Sequence, residues 1–176
     1  MNPSQHPPVE EEAAAQSGDA APATAASGPS RRAGRRDKPE RGTRTGFSTG
    51  ACSAAAARAC ALGLVHGQVP ESVESLLANG QRVSFAIHDG RIEGEGLARV
   101  AHGYVQKFAG DDPDCTDGAH LTVDLRILPG QAGQVQFRAG PGVGTVTLPG
   151  LGLEIGGPAI NPVPRANITQ NLQEVA

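Results

Sequence analysis

The sequence predicts an α+β fold: an Ala-rich helix, then antiparallel hairpins forming a sheet, then a C-terminal helix that is cut short. Three observations carry this reading. Residues 51–64 are rich in Ala, the strongest helix former. The runs 73–78 and 82–88 flank Asn79-Gly80, a pair that favours a tight two-residue hairpin turn. Ile168, Leu172 and Val175 return to the spacing of one helix face. Strands grouped between helices, rather than alternating with them, point to α+β.

Residues 1–43 hold almost no large apolar side chains. Such a segment cannot bury enough surface to offset its ordering entropy, so a disordered tail is expected there. Its first part is acidic, with Glu10, Glu11, Glu12 and Asp19; its second is basic, with Arg31, Arg32, Arg35, Arg36, Lys38 and Arg41, and the basic run continues to Arg44. A basic block can attract nucleic acid. No aromatic side chain interleaves with this one, and the net charge is −3, so no nucleic-acid partner is expected. The rest, roughly 130 residues, can build one core.

Ordered structure is expected to begin near Arg44. Ser48 or Thr49 can cap the first helix, with Gly63, Gly67 and Pro70 near its stop. In the strand 82–88, Val83, Phe85 and Ile87 share one face. Asp89-Gly90 suggests another turn. Residues 97–108 read as a further strand, and Leu121, Val123, Leu125 and Ile127 alternate as a half-buried strand does. The stretches 134–138 and 145–148 are shorter strand candidates. A helix is expected after Pro164, ending without a Gly or Pro stop.

Composition narrows the function classes. There is no Trp and one Tyr, which argues against an aromatic cage. Cys52, Cys60 and Cys115 are odd in number and form no Cys-x-x-Cys pair. With no apolar leader and no membrane-length apolar run, a cytoplasmic, reducing setting without a membrane partner is expected. Cys52 and Cys60 read as small core residues. His66, His88, His102 and His120 show no shared metal spacing.

Four blocks carry chemistry. The first is Arg44-Thr45-Gly46-Phe47-Ser48-Thr49-Gly50-Ala51-Cys52. It leads small and hydroxyl residues into a helix start, which either binds an anion or is simply capped. It lacks the Gly-Lys-Ser/Thr ending of a P-loop. The second runs from Lys107 to Gly118 and packs Asp111, Asp112, Asp114 and Asp117 into seven residues. Mutual repulsion can raise a carboxyl pKa and create a general base, or the acids can hold a cation, or they can simply shape a turn. EF-hand spacing is absent. The third, Gly140-Pro141-Gly142-Val143-Gly144-Thr145-Val146-Thr147, lacks the strand–helix context of a dinucleotide loop. The fourth, Gly157-Pro158-Ala159-Ile160-Asn161-Pro162-Val163-Pro164-Arg165, is stiffened by prolines. Asn161 is a candidate helix cap there. Arg165 sits poorly for the helix dipole, which hints at a carboxylate partner, although a structural arginine is the simpler reading.

Taken together and in this order, the four blocks resemble the cobalt-precorrin-5B C(1)-methyltransferase family of anaerobic cobalamin biosynthesis. The matching segments lie at 44–52, 107–118, 142–147 and 159–165, and the resemblance covers 44–176. Leu148 stands where family members often have Lys. Family chains are about twice as long, so this one resembles their N-terminal part. The absent half is expected to carry much of the S-adenosylmethionine site, and the fragment is not expected to act alone. The resemblance implies methyl transfer from S-adenosylmethionine, as cosubstrate, to C-1 of a corrinoid small molecule. The cobalt arrives with that substrate, so no protein-bound metal is expected. Other enzymes of the pathway are candidate partners, and the oligomeric state stays open. By the same resemblance, Asp111, Asp112 and Asp114 become candidate catalytic residues. Thr45, Gly46, Phe47, Ser48, Thr49, Gly50, Lys107, Asn161 and Arg165 become candidates for binding the ring's acetate and propionate groups. The rival reading is a non-catalytic α+β module with an anion-binding helix entrance.

Overall fold

The computed structural model describes residues 44–176 apart from Asp112 and Leu151, all within the compact unit Pro39–Ala176. The expected disordered tail, 1–43, and the assignment of Asp112 therefore lie outside the described residues.

Helix α1 (Thr49–His66) starts where a hydroxyl is available. Ser48 is extended, and its Oγ accepts a hydrogen bond from the Ala51 N–H at 3.1 Å. That bond satisfies one of the free donors of the first turn. Gly67 closes the helix, donating to the Gly63 carbonyl at 2.8 Å. α1 is buried on most of its circumference, which small side chains permit: Cys52, Ala55, Ala56, Ala59 and Cys60 are sealed against one core cluster. Ala54 and Ala57 form a second cluster on another side. Cys52 and Cys60 are thus core residues, and burial pushes the Cys60 thiol pKa up to about 12.

β1 (Ser72–Leu76) and β2 (Arg82–Ala86) pair antiparallel, with Ser72 opposite Ala86 and Leu76 opposite Arg82. Asn79-Gly80 lies in the turn, but the connection is a three-residue loop, 78–80, rather than the tight two-residue turn: Leu77 N–H donates to the Gln81 carbonyl at 2.7 Å, Gly80 alone takes positive φ, and Asn79 Oδ1 accepts from the Gln81 N–H at 3.0 Å. β3 (His88–Glu93), β4 (Val100–Gln106) and β5 (His120–Arg126) form a second antiparallel sheet in the order β3-β4-β5. On β4, Ala101 and Val105 face the core, while Val100, His102 and Tyr104 face away.

Several expectations need correction. Asp89-Gly90 does not turn the chain. It makes an irregularity inside β3, where the register shifts between His88 and Arg91 and Asp89 takes a φ of +52°. The strand expected over 97–108 is shorter, because a 3₁₀ turn (Gly96–Ala98) precedes it. Ile127 falls beyond the end of β5 and is 54% exposed. Neither 134–138 nor 145–148 forms a strand. Thr145 makes a single bridge to Pro158, whose ring nitrogen has no hydrogen to extend a ladder.

α2 (Pro162–Gln173) starts earlier than expected, since Pro162 fits the first helical position. Asn161 occupies the cap position, but its side chain makes no capping bond. Ile168 packs with Ala54 and Ala57 of α1. Asn171 is fully buried and ties α2 to β1. Its Oδ1 accepts from Ser75 Oγ and the Leu76 N–H, both at 3.0 Å, and its Nδ2 donates to the Leu76 and Asn167 carbonyls, both at 2.9 Å. Asn171→Leu is isosteric enough to fit but strands these groups without partners. It should lower unfolding stability by about 2–4 kcal/mol, read as a lower urea midpoint with an unchanged slope.

Candidate functional site

The site starts from two segments that lie far apart in sequence. Phe47 N–H donates to the Phe108 carbonyl at 2.8 Å, and Asp111 N–H donates to the Arg44 carbonyl at 3.1 Å. Thr45 and Gly110 form an antiparallel bridge between these bonds. The contact requires glycine on both sides. A Cβ on Gly46 would stand 2.0 Å from the Ala109 backbone, and one on Gly110, whose φ is +74°, would stand 2.3 Å from the Arg44 oxygen. The Phe47 ring meets Phe85 edge-on at 4.8 Å, which anchors the pair to the core. The first block is therefore held against the second, and α1 begins within it, at Thr49.

In the second block each described acid faces a donor. Asp111 accepts from the Arg44 N–H and from Arg44 Nε, each at 2.9 Å. Asp114 accepts from Lys107 Nζ at 2.6 Å, from the Thr116 N–H at 2.7 Å and from Thr116 Oγ1 at 2.6 Å. Asp117 accepts from the Ala109 N–H at 2.8 Å. Lys107 is 3% exposed, whereas Asp114 is partly open to solvent. The Lys107 bond, then those from Thr116, hold the Asp114 carboxyl well below the ordinary aspartate range. The expectation that mutual repulsion raises a pKa fails for Asp114, because its partners among the described residues are donors and a cation.

The remaining blocks continue the same surface. A Cβ on Gly50 would lie 3.1 Å from Pro164 Cβ, so the first block also abuts the fourth. The third block pairs with the fourth: Ala159 N–H donates to the Gly144 carbonyl at 2.7 Å and Val146 N–H to the Gly157 carbonyl at 2.9 Å. Among the described residues Arg165 meets carbonyls rather than a carboxylate, which fits the simpler reading of a structural arginine. Its Nε donates to the Ile160 carbonyl at 2.8 Å and its Nη2 to the Pro158 carbonyl at 2.9 Å, and its guanidinium lies 5.2 Å from the Phe137 ring centre. A loop rich in proline lacks N–H donors for its own carbonyls, and Arg165 supplies them. Ser48 and Thr49 stay exposed at the start of α1, and no acidic residue occupies its first turn.

Sequence reasoning thus grouped most of these residues but missed two partners. Arg44 was the unassigned cation of the first block, and Thr116 the unassigned hydroxyl of the second. An Arg and an Asp that end two facing segments were the available signal. His88, His102 and His120 are strand residues and His66 lies in the last turn of α1. Among the described residues no group of three His, Cys, Asp or Glu side chains is placed to hold a metal ion, and no helix is long and apolar enough to cross a membrane.

A family model described as CbiD matches residues 36–176. The chain is 62% identical over 145 residues to a cobalt-precorrin-5B C(1)-methyltransferase of Polaromonas sp. (strain JS666 / ATCC BAA-500), covering 80% of this chain and 39% of that protein. It is 61% identical to the protein of that name from Methylococcus capsulatus, covering 80% and 36%. It is 66% identical to that of Variovorax paradoxus (strain S110), covering 77% and 36%. The matched region spans less than two-fifths of each of these relatives. No solved structure matches.

Two outcomes follow from the geometry. Gly46→Ala should cost at least about 2 kcal/mol of stability and speed hydrogen exchange at the Phe47 amide, because backbone stands where the methyl must go. Asp114 is more acidic folded than unfolded, so its ionised form favours the fold. That contribution is complete above the ordinary aspartate pKa of about 3.9 and is lost as pH falls below it toward the folded value. Asp114→Asn should therefore flatten the acid limb of a stability–pH profile below about pH 4 and leave its shape near neutrality unchanged.

Proposed function

Because this chain belongs to the CbiD family, we propose that it forms part of an S-adenosylmethionine-dependent methyltransferase. The relatives' shared name gives methylation of C-1 of cobalt-precorrin-5B; with the resemblance of the four blocks, the reading extends to cobalt-precorrin-6A as product, in anaerobic cobalamin biosynthesis. The ring carbon donates an electron pair to the methyl carbon. The carbon–sulfur bond breaks with its pair left on sulfur, and S-adenosylhomocysteine leaves. The cobalt enters with the substrate. The setting is the cytoplasm, and the region acts with the rest of the longer family chain.

The observation that carries this reading is the meeting of the four blocks around the entrance to α1. An in-line displacement depends mainly on positioning, and a site assembled from backbone pairings and pinned acids is suited to that. The exposed Ser48–Thr49 entrance, at the positive end of α1, suits the ring's carboxylates, with Thr45, Gly46, Phe47 and Gly50 shaping it. Lys107 acts through Asp114, because its ammonium is buried in that pair. Asn161 and Arg165 set the path of the fourth block. Asp114, held ionised, is a poor proton acceptor, so its part is to place the 107–118 loop and its field. Asp111 does the same through Arg44, and Asp112 lies between them in sequence.

One observation favours a second reading, a scaffold with no catalytic residue: Asp111, Asp114 and Asp117 are all bound to groups of this chain. Single-turnover methylation of cobalt-precorrin-5B by the full-length family protein separates the two. Asp111→Asn, Asp112→Asn and Asp114→Asn should each slow turnover, by roughly 10²-fold where positioning is lost, with the circular dichroism spectrum unchanged. Full activity in all three would leave the loop as scaffold.

A further inference from the structure

On the side of the domain formed by the last turns of both helices, a groove of about 400 Å³ opens between α1, the end of β5 and α2. Its walls include Leu64 and Val65 from α1, Leu125 and Ile127 from β5 and the residue beyond it, and Leu172 and Val175 from α2 and its end. Val65 is 60% exposed and Ile127 54% exposed, so two large apolar side chains stand in water beside a concave apolar wall. Isolated exposed apolar residues need no explanation, but a contiguous concave set marks a contact surface.

We infer that this groove receives an apolar-faced segment of the longer CbiD chain, from the part outside residues 36–176. Two observations select that occupant. The curated relatives carry more than half of their length outside the matched region, so the family fold includes a large body of polypeptide that must pack somewhere. The wall is mostly apolar, as an apolar-faced segment requires, and a segment of the same polypeptide binds at high effective concentration. The surface is separate from the entrance to α1, at the opposite end of that helix. The inference rests on family membership and not on the methylation reading.

The test uses two formats. In the first, this chain is co-expressed with the portion of the Polaromonas sp. JS666 relative outside its matched region. The two should co-purify one to one, and Val65→Asp with Ile127→Asp should abolish the complex while leaving the melting temperature of the 176-residue chain within a few degrees. In the second, Val65→Cys and Ile127→Cys are placed singly in a Cys115→Ser background, and thiol labelling is timed. The isolated chain is compared with a chimera in which it replaces the matched region of that relative. Labelling should slow at least tenfold in the chimera at both positions and stay unchanged at the control Leu97→Cys, which is 73% exposed in the wild type. No co-purification, a complex indifferent to the two aspartates, or equal labelling in both formats would overturn the inference. So would labelling of the isolated chain that slows with its own concentration, since the occupant would then be a second copy.

Discussion

The ammonium of Lys107 is almost sealed from solvent, and the candidate site is arranged around its need for a counter-charge. A buried cation without a partner is costly enough to disfavour the fold that buries it. Asp114 meets it at 2.6 Å, and Thr116 fixes Asp114 through two bonds. The backbone of Lys107 is engaged as well, its N–H with Ala119 and its carbonyl with Gly118. The loop between β4 and β5 is thereby closed on itself. Its closed form presents residues 108–111 as the edge against which Arg44, Thr45 and Phe47 lie, and that edge sets where α1 begins.

From that start, α1 runs through the middle of the domain because its side chains are small. Ala and Cys on one side admit β4 and β5 closely: Cys60 Sγ lies 3.6 Å from the Val123 carbonyl oxygen. Ala54 and Ala57 on another side admit Ile168 of α2. A helix of larger residues would hold these layers apart and separate Gly50 from Pro164, and with them the first block from the fourth. Arg58 and Arg82 then share Glu174 at the end of α2, which adds a partly exposed ionic clasp to the buried Asn171 contacts. Packing and site are thus linked through one element.

Local signals were legible in the sequence where local chemistry decides. Ser48 caps α1, Asn79-Gly80 turns the hairpin, and the alternation of Leu121, Val123 and Leu125 marks β5. Asp89-Gly90 misled because the pair also suits a bulge, and only the register with β4 distinguishes bulge from turn. The stretches 134–138 and 145–148 carry β-formers, but no ladder forms where Gly and Pro interrupt the candidate partners. The pairing of residues 44–47 with 108–111 was not readable, since contact across such a separation leaves only the glycines Gly46 and Gly110 and the opposite charges of Arg44 and Asp111 as a trace. The same limit left the partners of Arg165 open: a structural arginine was the simpler reading and holds, but its partners are carbonyls, which no sequence pattern distinguishes from carboxylates. Asn171 gave no signal, because a polar residue in a short helix ordinarily faces water.

The central claim is that Lys107 and Asp114 act as one unit that holds the loop and, through it, the entrance to α1. A double-mutant cycle in unfolding stability tests it most directly, with Lys107→Met, Asp114→Asn and the double variant, each checked for the Phe47 amide's exchange protection. The account predicts that Asp114→Asn destabilises the wild type but has much less effect once Lys107 is Met, and that Phe47 protection falls with loss of Asp114 alone. Equal and additive effects in the two backgrounds, with Phe47 protection unchanged, would contradict it.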